Sequence, residues 1–248
     1  MPPWFSLGTP FNPRRLTLSI VRTTSIHEKN VRIKGIRYTT PDGPEGQDEP
    51  GSQGRVLRNL KGIRVKRDMD IAEIEALGRV QETYLDKIGP ETIISAELIC
   101  RMHRDWLGDL YEWAGRYRTV DVAKAGFSWP PAFRVEQNMR IIEKDVLLHK
   151  TPCRPGTLER VTLDMAEVHA ELLLVHPFRE GNGRIARWVA DIMALQAGHP
   201  LPAYCFAGRG SSAEKHRYLD AVKRGYLKDY RPLTAFFADA LARGRKPA

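Results

Sequence analysis

Ten residues of this 248-residue chain hold groups that could do chemistry together: His176-Pro177-Phe178-Arg179-Glu180-Gly181-Asn182-Gly183-Arg184, and Arg187 one turn further on. They supply a proton acceptor, a carboxylate, a glycine-flanked turn and two arginines. His176 has a near-neutral reference pKa, which suits it to taking a proton from a hydroxyl. Glu180 offers oxygen to a hard cation, and Mg²⁺ commonly pairs one or two carboxylates with substrate phosphates. Gly181 and Gly183 allow positive φ and close approach of a ligand to the backbone. Asn182 between them tolerates a left-handed conformation and carries a side-chain donor. Arg184 and Arg187, three apart, can lean toward one polyphosphate with forked donors.

Two helix patterns must position this loop. Leu158, Val161, Met165, Val168, Leu172 and Val175 step by three and four, and Pro177 cannot extend their helix, so His176 falls at its C-terminal end. Ile185, Trp188, Val189, Ile192 and Leu195 form a second apolar face, closed by Gly198 and Pro200. The loop therefore ends at a helix N-terminus, whose free N–H groups and dipole favour anions. Singly, each residue has a plainer reading. The histidine could be a helix cap, Gly-Asn-Gly an ordinary turn, and Glu180 a solvated charge. Arg187 could pair with Asp191 at i,i+4, a contact worth roughly 0.3–0.5 kcal/mol. Together in one turn-plus-helix unit, they are better explained as a nucleotide-phosphate site with an adjacent base.

The run resembles the signature of Fic (Fic/Doc) domains, H-x-F-x-[DE]-G-N-G-R-x-x-R, with every specified position filled. Residues 103–118 are similar to the helix that leads into that family's flap hairpin. Residues 218–222 and 229–233 resemble its closing helices, and residues 51–59 the start of a bacterial subgroup. The resemblance covers roughly residues 46–243. It implies an all-α Fic fold, a helical bundle with a small β-hairpin flap beside the active-site loop. It also implies AMP transfer from ATP to a Ser, Thr or Tyr hydroxyl of a target protein. His176 would be the general base and Glu180 the Mg²⁺ ligand. Gly181, Asn182 and Gly183 would cradle the α- and β-phosphates, Arg184 would position the phosphates, and Arg187 would engage the γ-phosphate. Phe178 would be a core anchor. The Doc branch, a kinase of protein targets, resembles a variant with an altered glycine-arginine segment. Gly183 and Arg184 here favour AMP transfer over phosphate transfer.

The rest of the chain divides by charge. The net charge is +9, yet residues 1–67 carry 13 Lys/Arg against 5 Asp/Glu, so the surplus belongs to the leading arm. Residues 1–45 read as a basic, disordered extension, residues 46–243 as the Fic domain, and residues 244–248 as a short basic tail. The arm lacks a periodic helix and an aromatic stacking set, which argues against nucleic acid as a partner. No apolar stretch approaches the roughly 18 residues of a membrane span. Residues 1–27 contain no acid but lack the apolar core of a signal peptide. Cys100, Cys153 and Cys205 form no metal or disulfide pattern and read as reduced thiols of a cytoplasmic protein. Residues 39–54 read as a strap.

Further helices are predicted from the spacing. Asp70 and Glu73 resemble a capping box ahead of Ile71, Ile74, Leu77, Tyr84, Leu85 and Ile88. Ser95 would cap a helix facing inward with Leu98, Met102 and Trp106. Others carry Val135, Met139, Ile142 and Val146, and, after Pro232, Leu233, Phe236, Phe237 and Leu241. Residues 117–129 alternate and read as a β-hairpin. In the family this flap docks the target segment by strand addition, because an edge strand offers backbone bonds without demanding a sequence.

Many Fic proteins are restrained by a helix bearing [S/T]-x-x-x-E-[G/N], whose glutamate pairs with the second arginine, here Arg187. The nearest match, Thr24 to Asn30, has Lys29 in the place of Gly or Asn before Asn30, and reads as coincidence. A separate antitoxin-like inhibitor is expected instead, by analogy with the family. Two other classes fit parts of the sequence less well. A metal-dependent hydrolase using His169 and His176 would place its ligands two turns apart with no third ligand evident. A non-catalytic binding module would depend on the basic N-terminal arm.

Overall fold

The computed structural model describes residues 44–124, 126–208 and 210–245. The arm's expected features, including the Thr24–Asn30 match, lie outside them. The fold is helical, as expected. Helix α1 spans Lys66–Lys87 and α2 Ala96–Leu107. Strands β1 (Ala123–Lys124) and β2 (Phe127–Ser128) follow. Helix α3 (Val135–Ile142) continues through a wider π-type turn, Glu143–Leu147, into α4 (Leu148–Lys150). Then come α5 (Leu158–Val175), α6 (Asn182–Gln196), α7 (Ser211–Gly225) and α8 (Arg231–Gly244). No helix among the described residues is long and apolar enough to cross a membrane.

Helix α5 is the hub, packed against α3, α6, α7 and α8. Its second half, Val168 to Val175, is buried on every side, which a surface helix could not tolerate. The polar residues it buries are therefore matched. Glu171 accepts from Lys228 Nζ and Tyr230 Oη, each at 2.6 Å, and His169 Nε2 meets Tyr218 Oη at 2.8 Å. Asp164 takes Lys150 and Arg160. A buried charge without such partners would cost several kcal/mol. These bonds also tie α5 to the α7–α8 turn.

Most helix readings held. Ser95 Oγ accepts the Leu98 amide at 3.0 Å, and Leu98, Met102 and Trp106 are buried. Val135, Met139, Ile142 and Val146 face the core, as do Leu233, Phe236, Phe237 and Leu241. The first helix corrects its prediction. It begins at Lys66, with Val65 as an N-cap that makes no side-chain bond. Asp70 pairs with Lys66 instead of capping. Ile71, Ile74 and Leu85 are exposed, while Met69, Glu73, Ala76 and Tyr84 are buried. The periodicity was real, but the inward face includes a carboxylate, which an apolar count passes over.

The hairpin is present and shorter than the alternating segment. β1 and β2 pair antiparallel, Ala123 with Ser128 and Lys124 with Phe127, around Gly126 at φ +79°. The alternation across 118–123 nevertheless marks burial: Arg118, Val120 and Val122 point in, and Thr119, Asp121 and Ala123 point out. Among the described residues there is no further strand to pair with, and inward-pointing Arg118 bonds the end of α5 instead.

Phe237 has no exposed surface and sets its ring edge-on to His169 at 5.2 Å. Phe237→Ala is expected to destabilise the protein by about 3–5 kcal/mol, read from urea unfolding.

Candidate active site

The loop between α5 and α6 is held closed by Asn182. Its Oδ1 accepts the Phe178 amide at 2.9 Å, and its Nδ2 donates to the Phe178 carbonyl at 2.7 Å. Asn182 is buried at the first helical position, with its side chain engaged by the loop. This corrects two expectations. Asn182 is helical, not left-handed, and the positive-φ residues here are His176 (φ 53°) and Gly181 (φ 83°). Gly183 also lies inside the helix without positive φ.

The two glycines are required for different reasons. At Gly181 a Cβ would sit 2.8 Å from the Trp106 ring, in a conformation that side chains avoid. At Gly183 a Cβ would only touch Arg187 Nη1 at 3.5 Å. Its missing side chain is open space at the helix start, of use to a ligand. The amides of Arg184 and Ile185 return to the Gly181 carbonyl, at 3.0 and 2.9 Å. Those of Asn182 and Gly183 have no backbone acceptor among the described residues. They form the donor end of the helix that an anion can use.

His103, which the spacing did not single out, supports the loop from beneath. Its ring stacks on Phe178 at 3.8 Å, its Nε2 donates to the Glu180 carbonyl at 3.1 Å, and its Nδ1 accepts the Gly115 amide at 2.9 Å. Complete burial holds it down at about 4, so it stays neutral. Arg179 is buried too, and its Nε donates to the Glu45 carbonyl at 2.6 Å. Glu45 in turn accepts the Thr119 amide. The start of the described chain is thereby fastened to both loop and flap.

His176 closes α5. Its Nδ1 faces the Leu173 carbonyl at 3.3 Å, an acceptor only, so Nδ1 carries the proton and Nε2 keeps its lone pair. Trp129, from the flap, stacks on the imidazole at 4.0 Å and donates its Nε1–H to the same carbonyl at 2.9 Å. Burial lowers His176 to about 3, with the Leu173 bond opposing and Arg118 and Lys124 reinforcing. The ring is a neutral acceptor at physiological pH.

Arg118 is a second residue that sequence reasoning missed. It is buried, and its guanidinium donates to the carbonyls of His176 (2.8 Å), Val120 (2.9 Å) and Pro130 (2.5 Å). Its own amide donates to Pro177. A cation at a helix C-terminus is favourable, and this one also joins the flap to the end of α5. Burial lowers it to about 10, so it stays charged. The available signal was its phase, since it alternates inward with Val120 and Val122.

The two motif arginines rest on different flanks. Arg184 lies over Trp106 at 4.7 Å and pairs with Glu73 of α1 at 2.6 Å; Glu180 is 3.7 Å away. Arg187 lies over Phe206 at 5.2 Å and Tyr218 at 5.8 Å, with Nη1 turned back toward Gly183. The Arg187–Asp191 pair considered above is absent: Asp191 accepts Tyr204 Oη at 2.6 Å. Burial raises Asp191 to about 7 against the pull of Tyr204 and Arg187. His169, the other histidine considered as a metal ligand, bonds Tyr218 under the Arg187 shelf. Glu180 Oε1 accepts the Gly181 amide at 3.1 Å, which sets the carboxylate at the loop's edge.

A helical bundle that places a neutral imidazole, a helix N-terminus and two arginines around a six-residue connection defines a nucleotide-transfer class of site. Residues 93–194 match the Fic/DOC family model. The chain is 29% identical over 207 residues to the probable protein adenylyltransferase y4lH of Sinorhizobium fredii, covering 81% of this chain and 96% of that protein. It is 32% identical over 165 residues to the protein adenylyltransferase Fic of Nematostella vectensis, of which it spans 35%. The crystal structure of BepC from Bartonella tribocorum, with bound AMPPNP, shares the fold at a TM-score of 0.61 and 20% identity, over 74% of this chain and 91% of that one. Residues 93–194 thus form a domain of the Fic/DOC family type.

Two outcomes follow from this geometry. Gly181→Ala should lower the melting temperature, whereas Gly183→Ala should melt at or above the wild-type value, because alanine favours a helix interior; thermal denaturation separates them. His103, His169 and His176 all lie below the ordinary 6.5, at about 4, 3 and 3. The unfolded chain therefore binds more protons than the native one below pH 6.5. Stability should be full above pH 6.5 and fall progressively toward pH 4, as melting curves across that range would show.

Proposed function

We propose that this protein is a protein adenylyltransferase that transfers AMP from ATP to a Ser, Thr or Tyr hydroxyl of a target protein. The observation that carries the reading is the fixed loop: it holds the acceptor Nε2 of His176 and the open amides of Asn182 and Gly183 on one rigid connection. The triphosphate sits on the start of α6, with Arg187 on the γ-phosphate and Arg184 on the inner phosphates. The family's signature supports this assignment, and so does the lack of any carboxylate within 4 Å of Arg187 among the described residues. Gly183 leaves room for the phosphate where a side chain would stand.

The target hydroxyl oxygen attacks the α-phosphorus in line. The bond from that phosphorus to the bridging oxygen breaks, pyrophosphate leaves, and the hydroxyl proton passes to His176 Nε2. The base contributes about 10²–10⁴-fold, and the remainder comes from positioning and charge stabilisation. The half-exposed carboxylate of Glu180, beside the phosphate site, fits a Mg²⁺ ion that takes its other ligands from phosphates and water. That ion, when bound, neutralises charge on the phosphates. The target segment docks along the flap at 117–129, where the residues of β1 and β2 are exposed. A separate antitoxin-like polypeptide is the expected restraint, acting at Arg187. A Doc-like phosphate transfer is the second reading, and the kept Gly183 and Arg184 weigh against it.

ATP labelled at the α- or γ-phosphate distinguishes the two. Incubated with candidate targets, the protein should pass on the α-label alone. His176→Ala should reduce that transfer at least 100-fold while retaining ATP binding. Transfer of γ-label alone would overturn AMP transfer in favour of the kinase reading.

A further inference from the structure

We infer that Glu73, on the first helix and outside the signature loop, is the positioning residue for Arg184, and decides whether that guanidinium serves the phosphates or closes on Glu180. The inference rests on the nucleotide-transfer reading above.

Glu73 is 3% exposed, and a carboxylate is rarely placed there without a function for its charge. Both of its oxygens are engaged. Oε1 accepts Tyr111 Oη at 2.6 Å, and Oε2 meets Arg184 Nη2 at 2.6 Å. Its backbone carbonyl accepts Trp106 Nε1–H at 2.8 Å. One residue therefore holds both the carboxylate and the indole between which Arg184 lies. Only one terminal nitrogen of Arg184 is taken by Glu73, and the fork has five N–H donors, so most stay available to oxygen ligands.

Arg184 has a competing partner in the loop just ahead of its helix. Glu180 stands at i−4, with Oε1 3.7 Å from the same Nη2. At that distance a closer ion pair would join the arginine meant for phosphate to the carboxylate meant for the cation. Glu73 holds this second pair at 3.7 Å by offering a shorter, drier contact of 2.6 Å. Its side chain is 4% exposed against 31% for Glu180, so its attraction is less screened by water. The aromatic shelf adds a cation–π contact on the same side. Arg184 and Glu180 are in this way kept as two separate tools.

Simple charge arithmetic predicts the opposite consequence of losing Glu73. Removing a negative charge near the triphosphate should tighten binding, and so should removing a competitor for Arg184. Positioning predicts weaker binding. The test uses the full chain carrying His176→Ala, which prevents turnover, with and without Glu73→Gln, titrated with ATP and Mg²⁺ in a calorimeter. Glu73→Gln should weaken ATP binding about 10-fold and raise the Mg²⁺ concentration needed for half-maximal binding, the usual scale for losing an outer-shell partner. A crystal structure of the variant should show Arg184 moved to within hydrogen-bond reach of Glu180. Tyr111→Phe, which keeps the charge and loses one bond, should shift binding in the same direction by less, and it serves in place of Glu73→Gln should that variant melt below the assay temperature. Equal or tighter ATP binding by folded Glu73→Gln overturns the role of Glu73 while leaving the nucleotide reading intact. Absence of ATP binding by His176→Ala itself overturns both.

Discussion

The site depends on the paired hydrogen bonds between the Asn182 amide and the Phe178 backbone. They close five residues into a ring, so that the end of one helix and the start of the next become one rigid object. Two otherwise separate resources are joined by that ring: a base at the C-terminus of α5, and unpaired amides at the N-terminus of α6. Helix ends leave such groups unsatisfied by necessity, and the loop converts a cost of helix termination into a binding surface. Everything beneath it keeps the ring from relaxing. His103 stacks on Phe178, the Trp106 ring lies where any side chain at position 181 would have to go, and Arg179 reaches Glu45.

Positive charge around the loop is divided by partner. Arg118 is given to carbonyl oxygens at the end of α5, and its charge holds the flap to the helix that carries the base. Arg184 is matched by a buried carboxylate. Arg187 lies on aromatic faces, which support a guanidinium without neutralising it. The same chemical group therefore performs three tasks, distinguished by whether its neighbour is a dipole, a charge or a ring. Burial of His176 under an indole, reinforced by Arg118 and Lys124, depresses its pKa and keeps the acceptor nitrogen unprotonated.

Much of this was legible from residue types and spacing. The helix ends at Val175 because Pro177 follows, and the inward faces of α2, α3 and α8 follow from intervals of three and four. The misreadings share a cause, since pattern rules treat polar residues as surface. Glu73 was taken for a cap and is a buried anchor. Arg118, which no motif singles out, is buried among carbonyls. The Asn182 side chain is engaged by the loop, which leaves its backbone amide as the donor open at the helix start. For two of them the decisive partner lies far along the chain: Arg184 for Glu73, His176 for Arg118. The partner of Asn182 is nearer, at Phe178, but it exists only because the loop turns back.

The sequence by itself determined the two helices that flank the loop, the chemical groups the loop carries, and the family to which they belong. These are local matters, set by proline, by glycine and by periodic burial. Tertiary structure alone decided which arginine is paired and which is left on a ring. It likewise decided which glycine is forced by a neighbour and which leaves room for a ligand, and which tautomer His176 holds. Those outcomes depend on atoms brought within a few ångströms by packing α1, α2 and α7 around α5 and α6, and no interval along the chain encodes such a distance.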